Sequence, residues 1–480
     1  MSSGGVILDY TGNMVHINQI STRNVLDVRV ACIGIEMIKI LRGSLGNALY
    51  QHTKLSFPSG QHANNSKLCN DFGLFTPRQE HKSLREMLED FVREKVEPQA
   101  LSFNCDEKFN SNLFRELGAL GLLGITTPEK RVIHNPIVEL IDMNRYGGSN
   151  MDATAAVIAH EELASSDPAF CLSYLAHSML FVNNLAQNGN EQQCVKYLPQ
   201  ACAGEKICGM GMSEPSVGTD VLGMSTHAKL SRCGDYYLLN GSKMWITNGA
   251  LNDTELGDYF LVYARTGESN TNRKNISCFI VEKGFEGFSL GQRIKNKCGM
   301  RASNTAELVF QDCKVPIENL IGKEDDAVVY MMRNLKIERV TLAAMSLGIA
   351  RRSLQIMNDY AKERQAFGQS LNSFGQIQKS ISESYAEFMA GRSYVYQVAR
   401  NLALDSAEDS LDCDGVKLYC GHMAKRIADR AIQTLGGNGY IGDYVVERLW
   451  RDAKLLEIGG GTNESHQKNM MRQLAKMKCI

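Results

Sequence analysis

Residues 334–348 read NLKIERVTLAAMSLG, and at 3.6 residues per turn Glu338 shares a stripe with Leu335, Leu342 and Met345. Desolvation on such a stripe raises a carboxyl's pKa, the property a general base needs near neutrality. The competing reading is a solvated helix Glu paired with a nearby arginine. A second group lies in residues 210–220 (MGMSEPSVGTD) and 243–250 (KMWITNGA), which combine hydroxyls, glycine-freed backbone and a flat aromatic. Such residues can lie against a planar heterocycle: Trp245 as a wall, Ser213 and Thr247 as donors to ring heteroatoms, and the amides near Gly218 and Thr219 facing a phosphate. A packed β-domain whose lone strand Trp is core is the alternative. Residues 362–371 (KERQAFGQSL) and 433–440 (QTLGGNGY) add an arginine and a glycine-rich turn.

These residues must be positioned by elements whose order is readable. Leu84, Leu88 and Phe91 are spaced for a helix that Pro98 should stop, and helical patterns continue to about Gly204. From Ile207 to Leu320 the text alternates or runs β-branched between Gly and Asn turns, and from about Asp325 long helical patterns return. No strand–helix alternation occurs, which excludes a doubly wound sheet. The chain has 480 residues, 44% hydrophobic and 22% charged, with net charge −1. That length allows more than one core, and the balance gives no basic field for nucleic acid. No apolar run long enough to span a bilayer is evident in the text. Fourteen cysteines stand singly, without a CxxC pair or secretory signal, which points to a reducing compartment. Residues 37–70 contain no Asp or Glu but carry Lys39, Arg42, Lys54 and Lys67, the composition of an organelle transit peptide, with Met37 as the expected initiator.

The motifs SEPxxGxD, WITN, KxGxRxSNT, ERxxxA, RxAFGQ, GGNGY and RDAKLxEIGxGTxE occur in one order across residues 75–473. In this the chain resembles the acyl-CoA dehydrogenase family, and most its isovaleryl-CoA branch. The resemblance implies an α+β multidomain protein: an extension at 1–74, an N-terminal helical domain at 75–205, a middle β-barrel or sandwich domain at 206–322 and a C-terminal four-helix bundle at 323–480. It implies FAD and no metal. Met212, Ser213, Trp245, Thr247, Thr462 and Glu464 would serve the flavin within the chain, with Gly218 and Thr219 beside it. Arg364, Phe367, Gln433 and Gly437 would reach the FAD of a neighbouring subunit in a homotetramer.

The same resemblance implies that an acyl-CoA gives up an α-proton to a carboxylate while its β-hydride goes to the flavin. Gly460 would donate its backbone N–H to the thioester oxygen. Most of the family carries the base at the position of Gly460, where no side chain exists here; the isovaleryl and long-chain branches place it at Glu338. Arg339, Leu342 and Gly459 would contact substrate, Gly459 leaving room for a branched acyl chain. The implied activity is dehydrogenation of isovaleryl-CoA in leucine catabolism, with electron-transfer flavoprotein as acceptor and the mitochondrial matrix as location. Other short or branched acyl-CoA substrates are the near alternative. A non-catalytic scaffold is the distant one, opposed by Glu338 together with complete flavin motifs. Two departures stand out: an insertion around 131–145, either a loop or a retained intron, and Lys336 two positions before the base, where an acidic residue that helps organise the CoA site is usual.

Overall fold

The computed structural model describes residues 73–129, 146–267, 275–404 and 411–477, together with the backbone of a short N-terminal hairpin. The chain divides into two compact units, Met1–Asn70 and Asp71–Ile480. In the first, β1 (Val6–Leu8) pairs antiparallel with β2 (Met14–His16). The expected transit segment and the 131–145 insertion lie outside the described residues.

The second unit begins with helices α1 (Gln79–Phe91), α2 (Glu97–Cys105) and α3 (Ser111–Ala119). Pro98 does not end the first of these. A π-type turn over Val92–Val96 carries the chain into α2, whose first turn holds Pro98. The backbone stays helical through Val96 and the Glu97 amide bonds to the Val92 carbonyl five residues back, so the wide turn carries the helix past Pro98 instead of ending there. Helix α4 (Ala153–Ala164) is buried along its whole length, and α5 (Pro168–Leu175), a π segment (Ala176–Asn183), α6 (Asn184–Asn188) and α7 (Glu191–Cys202) follow. Against the reading of the sequence, Pro168–Asn188 is long and apolar enough to cross a bilayer, but 83% of its apolar window is buried inside the protein. Phe170, Tyr174, Phe181 and Val182 spend that hydrophobicity on the core. His177 is core as well, accepting from the Cys208 amide at 3.1 Å.

Next comes one eight-stranded sheet: β3 (Cys208–Gly211), β4 (His227–Leu230), β5 (Tyr236–Thr247), β6 (Tyr259–Arg265), β7 (Ile276–Glu282), β8 (Phe288–Arg293), β9 (Thr305–Pro316) and β10 (Leu320–Ile321). Its order is β10-β7-β6-β4-β5-β9-β8, with β3 parallel to β6. The apolar runs YFLVYAR and ISCFIVE are buried on both faces. Leu261, Tyr263, Cys278 and Ile280 pack against the preceding helices, while the alternating Phe260, Val262, Phe279 and Val281 join an inner cluster. That inner cluster curls the sheet. Phe260 of β6 meets Phe288 of β8 with ring centroids 5.7 Å apart, although three strands separate them in the ladder.

Helix α8 (Ala327–Glu363) runs 37 residues, followed by the small hairpin β11 (Gln365–Ala366) and β12 (Gln369–Ser370), then α9 (Gly375–Asn401), α10 (Leu411–Leu435), α11 (Val446–Leu455) and α12 (Asn463–Leu474). The stripe read from sequence is too narrow, because residues 336–350 of α8 are buried on every face. At Gly348 a Cβ would strike the Glu161 carbonyl of α4, so the two helices cross with backbones nearly touching.

Candidate active site

Glu338 is buried in the middle of α8, and its Oε2 has no hydrogen-bond partner among the described residues. Burial raises the carboxyl to about 7, against the opposing pull of Arg339 and Lys417. An ionised form can therefore coexist with neutral pH, which suits a proton acceptor in a dry setting. The turn at residues 457–461, between α11 and α12, comes up to it. Gly460 (φ +66°) and Gly461 (φ +99°) are left-handed, and a Cβ at Gly460 would stand 3.4 Å from Glu338 Oε1 and collide with Leu342 Cδ1. The two backbone positions at which a base could be mounted thus face one point. Among the described residues the Gly460 amide makes no hydrogen bond, so it is available to an acceptor from outside the chain. Gly459 has only ordinary contacts, with Leu455.

Several charged groups behind this turn are not evident from motifs. Arg339 pairs with Asp414 of α10 at 3.4 Å, and Asp414 Oδ1 lies 2.5 Å from His466 Nδ1 on α12. Lys417, fully buried on α10, donates to the carbonyls of Leu456 (2.6 Å) and Gly461 (3.1 Å). Burial lowers its ammonium to about 8 despite the attraction of Glu338. Asp414 and Lys417 lie among Cys413, Val416 and Cys420, the same signal of charge on an apolar helix that singles out Glu338. Arg339 is thus engaged within the chain as well as facing the site.

On the sheet, Met244 donates its amide to the Ser213 carbonyl at 2.9 Å, which brings the Met212–Ser213 segment against the end of β5. Lys243 fixes that contact: its Nζ reaches Met212 O (3.1 Å) and Glu214 Oε1 (2.9 Å), and Glu214 also accepts the Ser225 and Thr226 amides. Burial works against ionisation of Glu214, but Lys243 and these donors outweigh it and hold the carboxyl at about 2. Trp245 follows at a bulge with φ +60° and is 55% exposed, not core. Gly218 and Thr219 are exposed, and at Gly218 a Cβ would meet nothing. An exposed indole beside a hydroxyl-bearing loop, braced from beneath by a buried ion pair, fits a flat aromatic ligand such as a flavin. Thr462 caps α12 by accepting the Ser465 amide, and Glu464 is exposed in its first turn.

Arg364 and Phe367 follow the far end of α8, while Gln433 lies in the last turn of α10 and Gly437 just beyond it. Arg364 shares a groove of about 390 Å³ with Tyr360, Asn438 and Tyr444, and Asn438 donates to Tyr360 Oη at 2.9 Å. Arg364, Gln433 and Gly437 are exposed, and Phe367 is 97% exposed. Along α8, Arg364 stands 26 residues beyond Glu338, roughly 40 Å away at 1.5 Å per residue. Arg364 therefore cannot reach the Glu338 of its own chain.

Comparison with known proteins bears on the fold and the family. Models of the acyl-CoA dehydrogenase N-terminal, middle and C-terminal domains match residues 78–205, 209–313 and 328–475. The chain is 40% identical over 390 residues to the mitochondrial isovaleryl-CoA dehydrogenase of Pongo abelii, covering 80% of this chain and 86% of that protein. It superposes on butyryl-CoA dehydrogenase from Megasphaera elsdenii with a TM-score of 0.75 at 32% identity, covering 82% of this chain and 98% of the other. A glutaryl-CoA dehydrogenase from Mycobacterium smegmatis in complex with FADH2 gives 0.75 at 25% identity, covering 85% and 98%. With its helical, β and helical parts matched in order over most of their length, the chain belongs to the acyl-CoA dehydrogenase family, and it is an enzyme of the kind that oxidises acyl-CoA.

Proposed function

We propose that the protein is an FAD-dependent homotetramer that converts isovaleryl-CoA to 3-methylcrotonyl-CoA in leucine catabolism, passing electrons to electron-transfer flavoprotein in the mitochondrial matrix. One observation carries the reading: a buried carboxyl at Glu338, its Oε2 without a hydrogen-bond partner, lies beside Gly460, whose amide makes no hydrogen bond among the described residues. Bound FAD supplies a hydride acceptor and a ribityl hydroxyl. Glu338 takes the α-proton, and the Gly460 N–H donates to the thioester oxygen as negative charge gathers there. Arg339 and Leu342 border the acyl-CoA, and Gly459 leaves space for the branch. Met212, Ser213, Gly218, Thr219, Trp245, Thr247, Thr462 and Glu464 hold the flavin of their own subunit. The patch of Arg364, Phe367, Gln433 and Gly437 serves the flavin of a neighbour, since roughly 40 Å separates it from Glu338. Likeness to the isovaleryl-CoA relative supports the substrate; the butyryl- and glutaryl-CoA relatives name the competitors. Anaerobic mixing of the purified flavoprotein with each of these three thioesters tests it by the visible flavin band. Isovaleryl-CoA should bleach it fastest. Faster bleaching by either competitor overturns the substrate, and bleaching by none overturns the placement of the base.

A further inference from the structure

The oxyanion contact needs the Gly460 amide held still, yet the turn's own bonds, from the Glu457, Ile458 and Gly459 amides to α11 and from the Asn463 amide to the Glu457 carbonyl, pass over the left-handed Gly460 and Gly461, which make no backbone bond among the described residues. What holds that part of the turn comes from α10 and α12. Lys417 Nζ reaches back to Leu456 O at 2.6 Å and forward to Gly461 O at 3.1 Å, so one ammonium ties together the two ends of the segment that carries Gly460. From the other side His466 Nε2 lies 3.0 Å from the same Gly461 carbonyl, with Nδ1 on Asp414. A carbonyl only accepts, so the tautomer with its proton on Nε2 is the one in which His466 donates to Gly461. Lys417 and His466 therefore converge on a single oxygen next to the amide that has to point at substrate.

We infer that Lys417 is a positioning residue: by fastening both ends of the 457–461 turn, with the Asp414–His466 pair as a second clamp, it sets the Gly460 amide opposite Glu338 and so fixes how acidic the bound thioester's α-carbon becomes. This rests on the reading of Glu338 as base and Gly460 as donor. Lys417 touches neither substrate nor flavin. Its effect passes through the turn, and a displacement there of about 1 Å is enough to cost on the order of 10²-fold in rate.

The test uses the flavinated enzyme with 3,3-dimethylbutyryl-CoA, whose α-carbon carries hydrogens and whose quaternary β-carbon carries none. Glu338 can remove an α-proton and return a deuteron from D2O, but no hydride can leave, so deuterium incorporation followed by mass spectrometry reports proton transfer alone. Lys417→Met should slow exchange per bound flavin by ~10-fold or more, short of the ~10²–10³-fold typical of deleting an oxyanion donor. Thioester affinity should change less than about threefold, because ground-state binding is spread over many contacts. Lys417→Arg, which keeps two donors, should recover most of the loss. Exchange by Lys417→Met at the wild-type rate overturns the inference, even if its melting temperature falls. Should that variant not fold, His466→Asn is read in the same way on the second clamp. Wild-type enzyme that incorporates no deuterium, or Glu338→Gln that exchanges normally, instead overturns the reading of the base itself.

Discussion

Glu338 trades stability for chemistry. A carboxyl raised from 4.5 to about 7 binds its proton more tightly in the folded than in the unfolded state, so its ionisation destabilises the fold as pH rises between those values. Glu338→Gln should retain flavin, lose bleaching by roughly 10²–10⁴-fold or more, and be more stable than wild type at pH 8 by up to about 3 kcal/mol. The stability difference should vanish at pH 4; urea unfolding at the two pH values measures it. For the wild type, kcat/KM should climb with pH through about 7 as the base ionises. The facing backbones also permit the base to be moved, with a condition that only the structure supplies. Glu338→Gly with Gly460→Glu places the carboxylate correctly, but its Cβ meets Leu342 Cδ1 and its backbone is left-handed. That conformation costs about 1–2 kcal/mol outside glycine. Bleaching should therefore recover weakly in the double variant and more when Leu342→Ala is added. A triple variant as inactive as Glu338→Gln, though flavinated, would show that the two positions do not serve one proton.

At the scale of elements, what was legible in the sequence is what local pattern records. Short apolar runs in 259–265 and 276–282 identify strands, and charge on apolar helical text identifies Glu338. Pro98 misled because a π-type turn, which local pattern does not record, carries the helix past it. Lys417 carried the same signal as Glu338, but its acceptors at Leu456 and Gly461 lie 39 and 44 residues away and follow only from the packing of α10 against the turn. The β11–β12 hairpin shows local preference being overridden. Its turn residues Phe367 and Gly368 have φ of +53° and +82°, a two-residue type I′ geometry that favours Asn-Gly over Phe-Gly. A phenylalanine held there and 97% exposed makes sense if another molecule covers it. Phe367→Asn should leave thermal stability of the apoprotein equal or higher and lower the flavin retained on gel filtration. Arg364→Ala should lose flavin more severely, by about 1.5–3 kcal/mol of binding for a charge-assisted contact.

At the scale of the whole molecule, a buried ion cluster fastens the N-terminal helices to the C-terminal bundle. Glu161 and Glu162 of α4 meet Arg85 of α1, Arg351 of α8, and Arg392 and Tyr396 of α9, with Arg392 Nε 3.0 Å from Glu161 and Arg351 bonded to Glu162 at 2.9 and 2.5 Å. Burial opposes the charge on Glu161, but Arg392, Arg85 and Arg351 prevail and hold its pKa at about 2. Its contribution is thus present above the unfolded value of 4.5 and lost as pH falls toward 2. Glu161→Gln, which strips Arg392 of its carboxylate and leaves Arg85 and Arg351 to Glu162 alone, should cost about 3–5 kcal/mol at pH 7 and flatten the acid limb of a urea-midpoint profile.

The length of α8 reaches beyond the single chain. Because Glu338 lies in its interior and Arg364 directly follows its last residue, the proposed sites are each built from two subunits, and defects in the two residues belong to different sites of a subunit pair. In a mixed pair of one Glu338→Gln chain and one Arg364→Ala chain, both lesions fall in the same site and the other site is intact. Unfolding and reassembling the two inactive variants together should then restore up to about a quarter of wild-type activity, the share expected for random pairing across a two-fold interface. Two damaged populations would repair each other without exchanging any sequence.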